Sequence, residues 1–164
     1  HQGASSVTLF DTNLCRIDML RQGGFRADFA DHDAYRDALA AIGKSGFDVV
    51  FECAGAAPAV AAAVANTRGG GRVAIVSIYK GAQPVDLQDL SFREIELIGM
   101  RVYTREDFSA AADLLGEMRE RLSWIAGEAR RLDEAPDLFA QLNDGTGPMK
   151  AVIEMEMRGA NNSV

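Results

Sequence analysis

The most informative stretch of the sequence is Val7-Thr8-Leu9-Phe10-Asp11-Thr12-Asn13. Its apolar first half predicts a buried β-strand, which ends in an acid directly before a helix-length segment. In α/β folds that bind dinucleotides, an acid at the tip of the second strand accepts hydrogen bonds from ribose hydroxyls and repels the extra phosphate of NADP. A methyltransferase places an acid at this point too, and an Asp-Thr-Asn run also forms ordinary turns and helix caps. Asp11 is therefore a candidate nucleotide-binding residue, and the alternative is that it only forms a turn and a helix cap.

Outward from this stretch, strand-like and helix-like segments alternate. Two further apolar runs, Val49–Phe51 and Val73–Ile78, have the length and β-branched content of buried strands. Apolar residues at helical spacing predict three helices, at residues 14–22, 34–42 and 58–67. The run Gly69-Gly70-Gly71 is interpreted as the stop of the third helix. This alternation predicts an α/β protein with a mostly parallel, Rossmann-like sheet and helices on both faces.

The second half of the chain repeats the pattern once and then changes. A strand is predicted over Ile95–Tyr103, followed by a helix over residues 106–122 with Thr104 as its cap. A short helix to Leu142 and a final strand from Lys150 to Met155 follow. The predicted domains are a nucleotide-binding part at 1–125, a returning helix and strand at 126–157, and a loose tail at 158–164.

Composition narrows the class of protein. A chain of 164 residues can bury a core without disulfides or metals. The net charge of −7 is spread along the chain, which argues against nucleic acid as a partner. The apolar stretches are too interrupted to span a membrane. Cys15 and Cys53 are too few for a disulfide framework, which favours a reducing cytoplasm.

The expected partner of Asp11 is a Gly-rich phosphate loop about 20 residues upstream. Only ten residues precede Asp11, so we expect this loop, and the natural N-terminus, to lie outside the sequence. The glycines at 69–71 do not substitute, because they follow a helix and enter a strand, which is the reverse of phosphate-loop geometry.

Three other places could carry chemistry. Cys53-Ala54-Gly55 and Ser77-Ile78-Tyr79 follow predicted strands and supply small residues and backbone groups where a cofactor lies in α/β sheets. Cys53 has no neighbouring histidine to activate it, so a buried structural thiol is the expected state. His32 is expected in a solvated Asp-His-Asp loop rather than in a metal site.

Five segments, in order along the chain, resemble the zinc-containing medium-chain dehydrogenases, in particular the branch of butanediol, sorbitol and threonine dehydrogenases. These segments are Phe47-Asp-Val-Val-Phe-Glu-Cys-Ala-Gly55, Gly70–Ser77, Glu96–Phe108, Leu132–Pro136 and Lys150–Glu154. The resemblance implies an NAD-binding part of an enzyme that oxidises a secondary alcohol or diol. Such enzymes use zinc, but the zinc ligands of the family have no counterpart in this sequence, so the chain alone is expected to be inactive.

The resemblance also implies roles for individual residues. Asp11 would hold the adenosine ribose and Arg16 would be the cation beside it, although Arg16 is otherwise an ordinary solvated helix residue. The nicotinamide half of the cofactor would lie along two segments, largely through backbone atoms: Val76, Ser77 and Ile78, and Arg101, Val102 and Tyr103. The family further implies a homo-oligomer through the strand at residues 95–103.

Two alternatives to a dehydrogenase part remain open from the sequence. The chain could be a non-catalytic module for nucleotide sensing or oligomerisation, or a methyltransferase-like fragment. A structural question is also open, because the central first strand of the usual order 3-2-1-4-5-6 is expected to be missing. The strands at 7–10 and 49–51 would then close on each other, accept a segment of another chain, or flank upstream residues; we favour the last outcome.

Overall fold

The computed structural model describes residues 3–155 and divides the chain into two compact units. The first unit combines the residues up to Ala30 with those from Asp107 onward, and the second comprises Asp31–Glu106. The domain boundaries expected from the sequence differ from this division and stay a prediction. The proposed tail at 158–164 lies outside the described residues.

The first unit begins with a βαβ motif. Strand β1 (Thr8–Asp11) and strand β2 (Arg26–Phe29) are parallel, in register from Thr8 opposite Arg26 to Asp11 opposite Phe29. Helix α1 (Leu14–Gln22) joins them and has the bounds predicted from the sequence. It begins where the Asn13 side chain accepts a hydrogen bond from the Arg16 amide at 3.2 Å. Strand β2 was not predicted, because only one of its four residues is buried.

The second unit is a three-stranded parallel sheet with helices between the strands. Its elements are α2 (His32–Ala41), β3 (Phe47–Glu52), α3 (Ala57–Asn66), β4 (Thr67–Ile75), α4 (Leu87–Phe92) and β5 (Glu96–Gly99). The strand order is β3-β4-β5. The α/β class with parallel strands is therefore confirmed.

The core of the second unit lies between α3 and the sheet. Val73, in the middle of β4, is fully buried and clusters with Ala63 and Val64 of α3 and with Ile95. Val50 and Ile75 pack against this cluster from the strands. Alternate residues of β3 and β4 thus point to the same side of the sheet and pack that face against α3.

The chain then returns to the first unit through short elements. These are α5 (Arg105–Glu117), α6 (Arg119–Leu122), β6 (Arg130–Arg131), α7 (Ala135–Asn143) and β7 (Ile153–Glu154). Trp124 follows α6 and packs on Phe25, with ring centroids 6.0 Å apart. A Cβ at Gly23 would lie 2.3 Å from the indole, so this contact requires glycine there.

Several predicted bounds were wrong. The glycines at 69–71 do not stop a helix; they lie inside β4, which begins at Thr67 and pairs with β3 across a register shift. The strand predicted to reach Tyr103 ends at Gly99, and the one predicted over 150–155 is reduced to Ile153–Glu154. The loop expected around His32 is instead the start of α2, with Asp31 as its N-cap.

Within residues 3–155 the strands form three separate sheets, β1-β2, β3-β4-β5 and β6-β7. Strands β1 and β3 thus belong to different sheets, and closure of one on the other, which was one of the expected outcomes, is not what the described residues form. The two other expected outcomes, upstream residues or a segment of another chain between β1 and β3, stay predictions.

None of the helices within residues 3–155 combines the length and the apolar content that crossing a membrane requires.

Candidate functional site

Asp11 lies at the carboxyl end of β1, where the chain turns into α1. One of its carboxylate oxygens accepts a hydrogen bond from the Asn13 amide at 2.8 Å, and the other lies 3.7 Å from the Arg16 guanidinium. The Asn13 side chain in turn donates to the Gly145 carbonyl at 3.0 Å, which holds the turn after α7 against this loop. An acid and a cation therefore share one solvent-accessible edge of the first unit.

In the second unit, the carboxyl ends of β3 and β4 are joined by a buried acid. Glu52, the last residue of β3, is 3% exposed. Its side chain accepts hydrogen bonds from the backbone amides of Ala54 (2.8 Å) and Gly55 (2.9 Å) through Oε1, and from the Ser77 hydroxyl through Oε2. The Glu52 backbone carbonyl also accepts from the amides of Val76 and Ser77. One residue thus ties together the loops that follow both strands.

Gly55 allows these two loops to approach closely. It has a φ of +69°, which non-glycine residues rarely adopt, and a Cβ added there would lie 3.3 Å from the Ile78 carbonyl oxygen. The Tyr79 hydroxyl donates to the Ala56 carbonyl at 3.4 Å, from one loop to the other. The arrangement presents backbone and small side chains toward solvent at the end of the sheet.

The hydrogen bonds around Glu52 control its ionisation. Burial raises the pKa of the Glu52 carboxyl, but hydrogen bonds from Ser77, Gly55, Tyr79 and Ala54 outweigh burial and hold the pKa below its ordinary value. Glu52 is therefore a carboxylate at neutral pH. Burial of its hydroxyl, followed by the bond to Glu52, raises the pKa of Tyr79.

Cys53 is exposed, so the expectation of a buried thiol was wrong: the residue follows the end of β3 and points away from the core beneath it. Partial desolvation of the thiol and the negative charge of Glu52 raise the pKa of Cys53. The thiol is therefore protonated at neutral pH, which disfavours a role as nucleophile.

The segment after β5 leaves the sheet abruptly. The Met100 amide still donates to the Ile75 carbonyl at 2.9 Å, so residues after 100 start beside the residues after 75. Val102 then takes a φ of +60°, which is strained for a β-branched residue, and its side chain is exposed. This left-handed residue explains why the strand does not extend to Tyr103.

The structure groups the predicted site residues into two sets. Asp11 and Arg16 are neighbours in the first unit, whereas Val76–Ile78 and Arg101–Tyr103 both follow strand ends in the second. Glu52 was missed, although it follows an apolar strand in the same way as Asp11. Within residues 3–155, no group of three or more His, Cys, Asp or Glu side chains is placed to hold a metal ion.

Parallel strands alternating with helices, with polar and small residues at the carboxyl ends of the strands, define a Rossmann-like α/β protein. The sequence profile of the zinc-binding dehydrogenases matches residues 1–117. The chain belongs to this family.

Curated relatives of this chain are bacterial dehydrogenases. It is 33% identical over 112 residues to a 2-dehydro-3-deoxy-L-galactonate 5-dehydrogenase of Pseudoalteromonas atlantica, which covers 68% of this chain and 33% of the relative. It is 34% identical over 149 residues to an L-threonine 3-dehydrogenase of Anaeromyxobacter, covering 88% of this chain and 43% of the relative. The chain thus spans well under half the length of these relatives.

Among solved structures, the chain resembles 2R,3R-butanediol dehydrogenase from Bacillus subtilis, with a TM-score of 0.79 and 21% identity. The match covers 94% of this chain and 45% of that protein. At this identity the likeness supports the shared fold.

Proposed function

We propose that this chain is the NAD-binding part of a zinc-dependent dehydrogenase that oxidises a secondary alcohol or diol. The observation that carries the proposal is the Asp11 carboxylate at the end of β1, beside the Arg16 guanidinium at 3.7 Å. Membership of the zinc-binding dehydrogenase family and similarity to threonine and deoxy-galactonate dehydrogenases support the reaction class. NAD, when bound, supplies the hydride acceptor.

The acceptor atoms of Asp11 fit the adenosine ribose of NAD. A carboxylate accepts hydrogen bonds from two vicinal hydroxyls, and only one of its oxygens is bonded to Asn13. Arg16 contributes a positive charge on the same edge. The negative charge of Asp11 opposes a 2′-phosphate, so the chain prefers NAD to NADP.

The nicotinamide half is assigned to the second unit. There Val76, Ser77 and Ile78 follow β4, and Arg101, Val102 and Tyr103 follow β5, at the sheet edge where ligands of α/β proteins lie. Val76 and Ile78 are exposed, so their backbone and apolar surfaces are accessible. No residue of the described chain is assigned to zinc.

The test measures binding and turnover separately. Calorimetry with NAD, NADP and S-adenosylmethionine, on the native chain and on Asp11→Asn, is expected to show NAD binding that the substitution weakens. NADH formation with 2,3-butanediol is expected to be absent from the chain by itself. Binding of S-adenosylmethionine in preference to NAD would instead favour the methyltransferase alternative.

We also propose that the protein assembles as a homo-oligomer through β5. This strand is the edge of the β3-β4-β5 sheet, and all four of its residues are exposed. An unpaired edge invites pairing with a second copy. Its short length, four residues instead of the predicted nine, makes the interface smaller than the sequence suggested. Sedimentation that shows a monomer at micromolar concentration would refute this assembly.

A further inference from the structure

Glu52 is a charged side chain placed almost entirely out of water, where the loops after β3 and β4 approach each other. Burying a carboxylate is costly unless its oxygens are hydrogen-bonded. Here both oxygens are used, Oε1 by the amides of Ala54 and Gly55 and Oε2 by the hydroxyl of Ser77. The acid is therefore an internal acceptor and not a group directed at solvent.

The partners of Glu52 belong to different strand ends. Ala54 and Gly55 follow β3, whereas Ser77 follows β4. Each oxygen of the carboxylate therefore bonds to one loop, and this side-chain link adds to the backbone bonds that the Glu52 carbonyl accepts from Val76 and Ser77. The outer sides of both loops are open, since Cys53, Ala54 and Ile78 are exposed.

Close approach in this region is confirmed by a second, independent observation. The left-handed conformation of Gly55 brings its α-carbon against the loop after β4, where even a methyl group would lie 3.3 Å from the Ile78 carbonyl. The two loops are thus joined by hydrogen bonds to the Glu52 carboxylate, and they also pack against each other where Gly55 meets the Ile78 carbonyl. The exposed residues of both loops lie at the carboxyl ends of parallel strands, where α/β proteins bind ligands.

We propose that Glu52 is a positioning residue for NAD: its buried carboxylate holds the loops after β3 and β4 so that the exposed residues of these loops can contact the nicotinamide half of the cofactor. This inference rests on the proposed function and extends it to a residue that does not itself touch the cofactor. Ser77 is the residue through which Glu52 acts on the second loop.

The experiment compares two ligands that differ only beyond the second ribose. NAD carries the nicotinamide and ADP-ribose does not, so a residue that positions the nicotinamide loops affects the first ligand alone. Dissociation constants are measured by calorimetry for the native chain and four variants: Glu52→Gln, Ser77→Ala, the double variant, and Asp37→Asn. Asp37→Asn is the matched control, because Asp37 is an exposed acid on α2 that pairs with Arg36.

Glu52→Gln keeps an acceptor for the two amides but replaces the acceptor of the Ser77 hydroxyl with a donor. Loss of one hydrogen bond to a charged group is expected to weaken NAD binding about tenfold. ADP-ribose binding is expected to stay within about twofold, as is NAD binding by the control. The double variant should bind NAD no more weakly than the worse single variant, because both changes remove the same bond.

Ser77→Ala keeps the inference testable if Glu52→Gln folds poorly, since it breaks the same bond and leaves the carboxylate in place. Amide NMR spectra of each variant verify the fold, and the resonances of Ala54 and Gly55 report whether the first loop still binds residue 52.

A merely structural role would weaken the binding of NAD and of ADP-ribose equally. That result, or unchanged NAD affinity in both single variants, would overturn the inference. If the native chain binds ADP-ribose but gains nothing from the nicotinamide, this inference fails while the Asp11 site stands. If neither NAD nor ADP-ribose binds, both the proposed function and this inference fail.

Discussion

Replacing Arg93 should destabilise the second unit far more than its ion pair alone would suggest. Its guanidinium pairs with Asp89 and also donates to two backbone carbonyls at the junction of α3 and β4, those of Val64 (2.9 Å) and Thr67. Removing the side chain leaves two partly buried acceptors without their charged donor. Each such bond contributes about 1.5 kcal/mol, so Arg93→Ala is expected to cost about 3 kcal/mol.

Lysine at this position tests the geometry of the donor. A single ammonium cannot reproduce the planar fork of the guanidinium, so Arg93→Lys should recover only about half of the loss. Arg36→Ala is the matched control, because the hydrogen bonds of Arg36 go to the carboxylates of Asp33 and Asp37 and its side chain is solvent-exposed. It should cause no measurable change.

The stability of these variants is measured by urea unfolding followed by far-ultraviolet circular dichroism. Hydrogen exchange of the β4 amides then localises the effect to the second unit. If Arg93→Ala loses no more stability than Arg36→Ala, the carbonyl bonds carry no stabilisation and the reasoning is refuted.

Three further predictions concern charge and backbone strain. Asp11→Ser should reduce the preference for NAD over NADP roughly tenfold, because it removes a charge that faces the 2′-phosphate; competition binding with both cofactors measures this, and an unchanged ratio would contradict it. Val102→Gly should stabilise the chain by about 1 kcal/mol in thermal unfolding, because it relieves a strained φ at an exposed side chain. Val152→Gly is the control: Val152 has an ordinary φ, so this change should destabilise the chain. Hydrogen bonds from Lys44 and then Arg68 lower the pKa of Asp48 to about 2, so its stabilising effect is full above the unfolded pKa and is lost as pH falls toward 2. Asp48→Asn should therefore lower the melting temperature at pH 6 and have no effect near pH 2, and a pH-independent difference would refute the assignment.

Sequence patterns predicted the elements whose signals are local. Helix α1 has its predicted bounds because an asparagine cap, apolar spacing and a terminal glycine all occur within one short segment. Strand β2 could not be predicted in the same way, since charged residues alternate with a single buried alanine. The glycines at 69–71 suggested a helix stop, but pairing with β3, a contact distant in sequence, places them in a strand.

The candidate site shows the same division between local and distant information. Asp11 was identified because an acid follows an apolar strand, and Glu52 carries that same signal in Phe47–Glu52. The hydrogen bond between its side chain and the Ser77 hydroxyl joins residues 25 positions apart, so the burial of Glu52 could not be inferred from its own segment. The positive φ of Val102 is likewise imposed by tertiary structure, and a valine gives no sequence signal from which it could be predicted.

The packing of Trp124 on Phe25 has a consequence for the order of events during folding. The first unit is assembled from both ends of the chain, whereas the second is continuous from Asp31 to Glu106. During synthesis the second unit can form its core before most of α5 has emerged, whereas the contact between Phe25 and Trp124 forms only after the returning segment has been made. Contacts of such long sequence separation form slowly, because loop closure precedes any gain from packing. Since Trp124 is the only tryptophan of the chain, its fluorescence reports when the returning segment packs on Phe25.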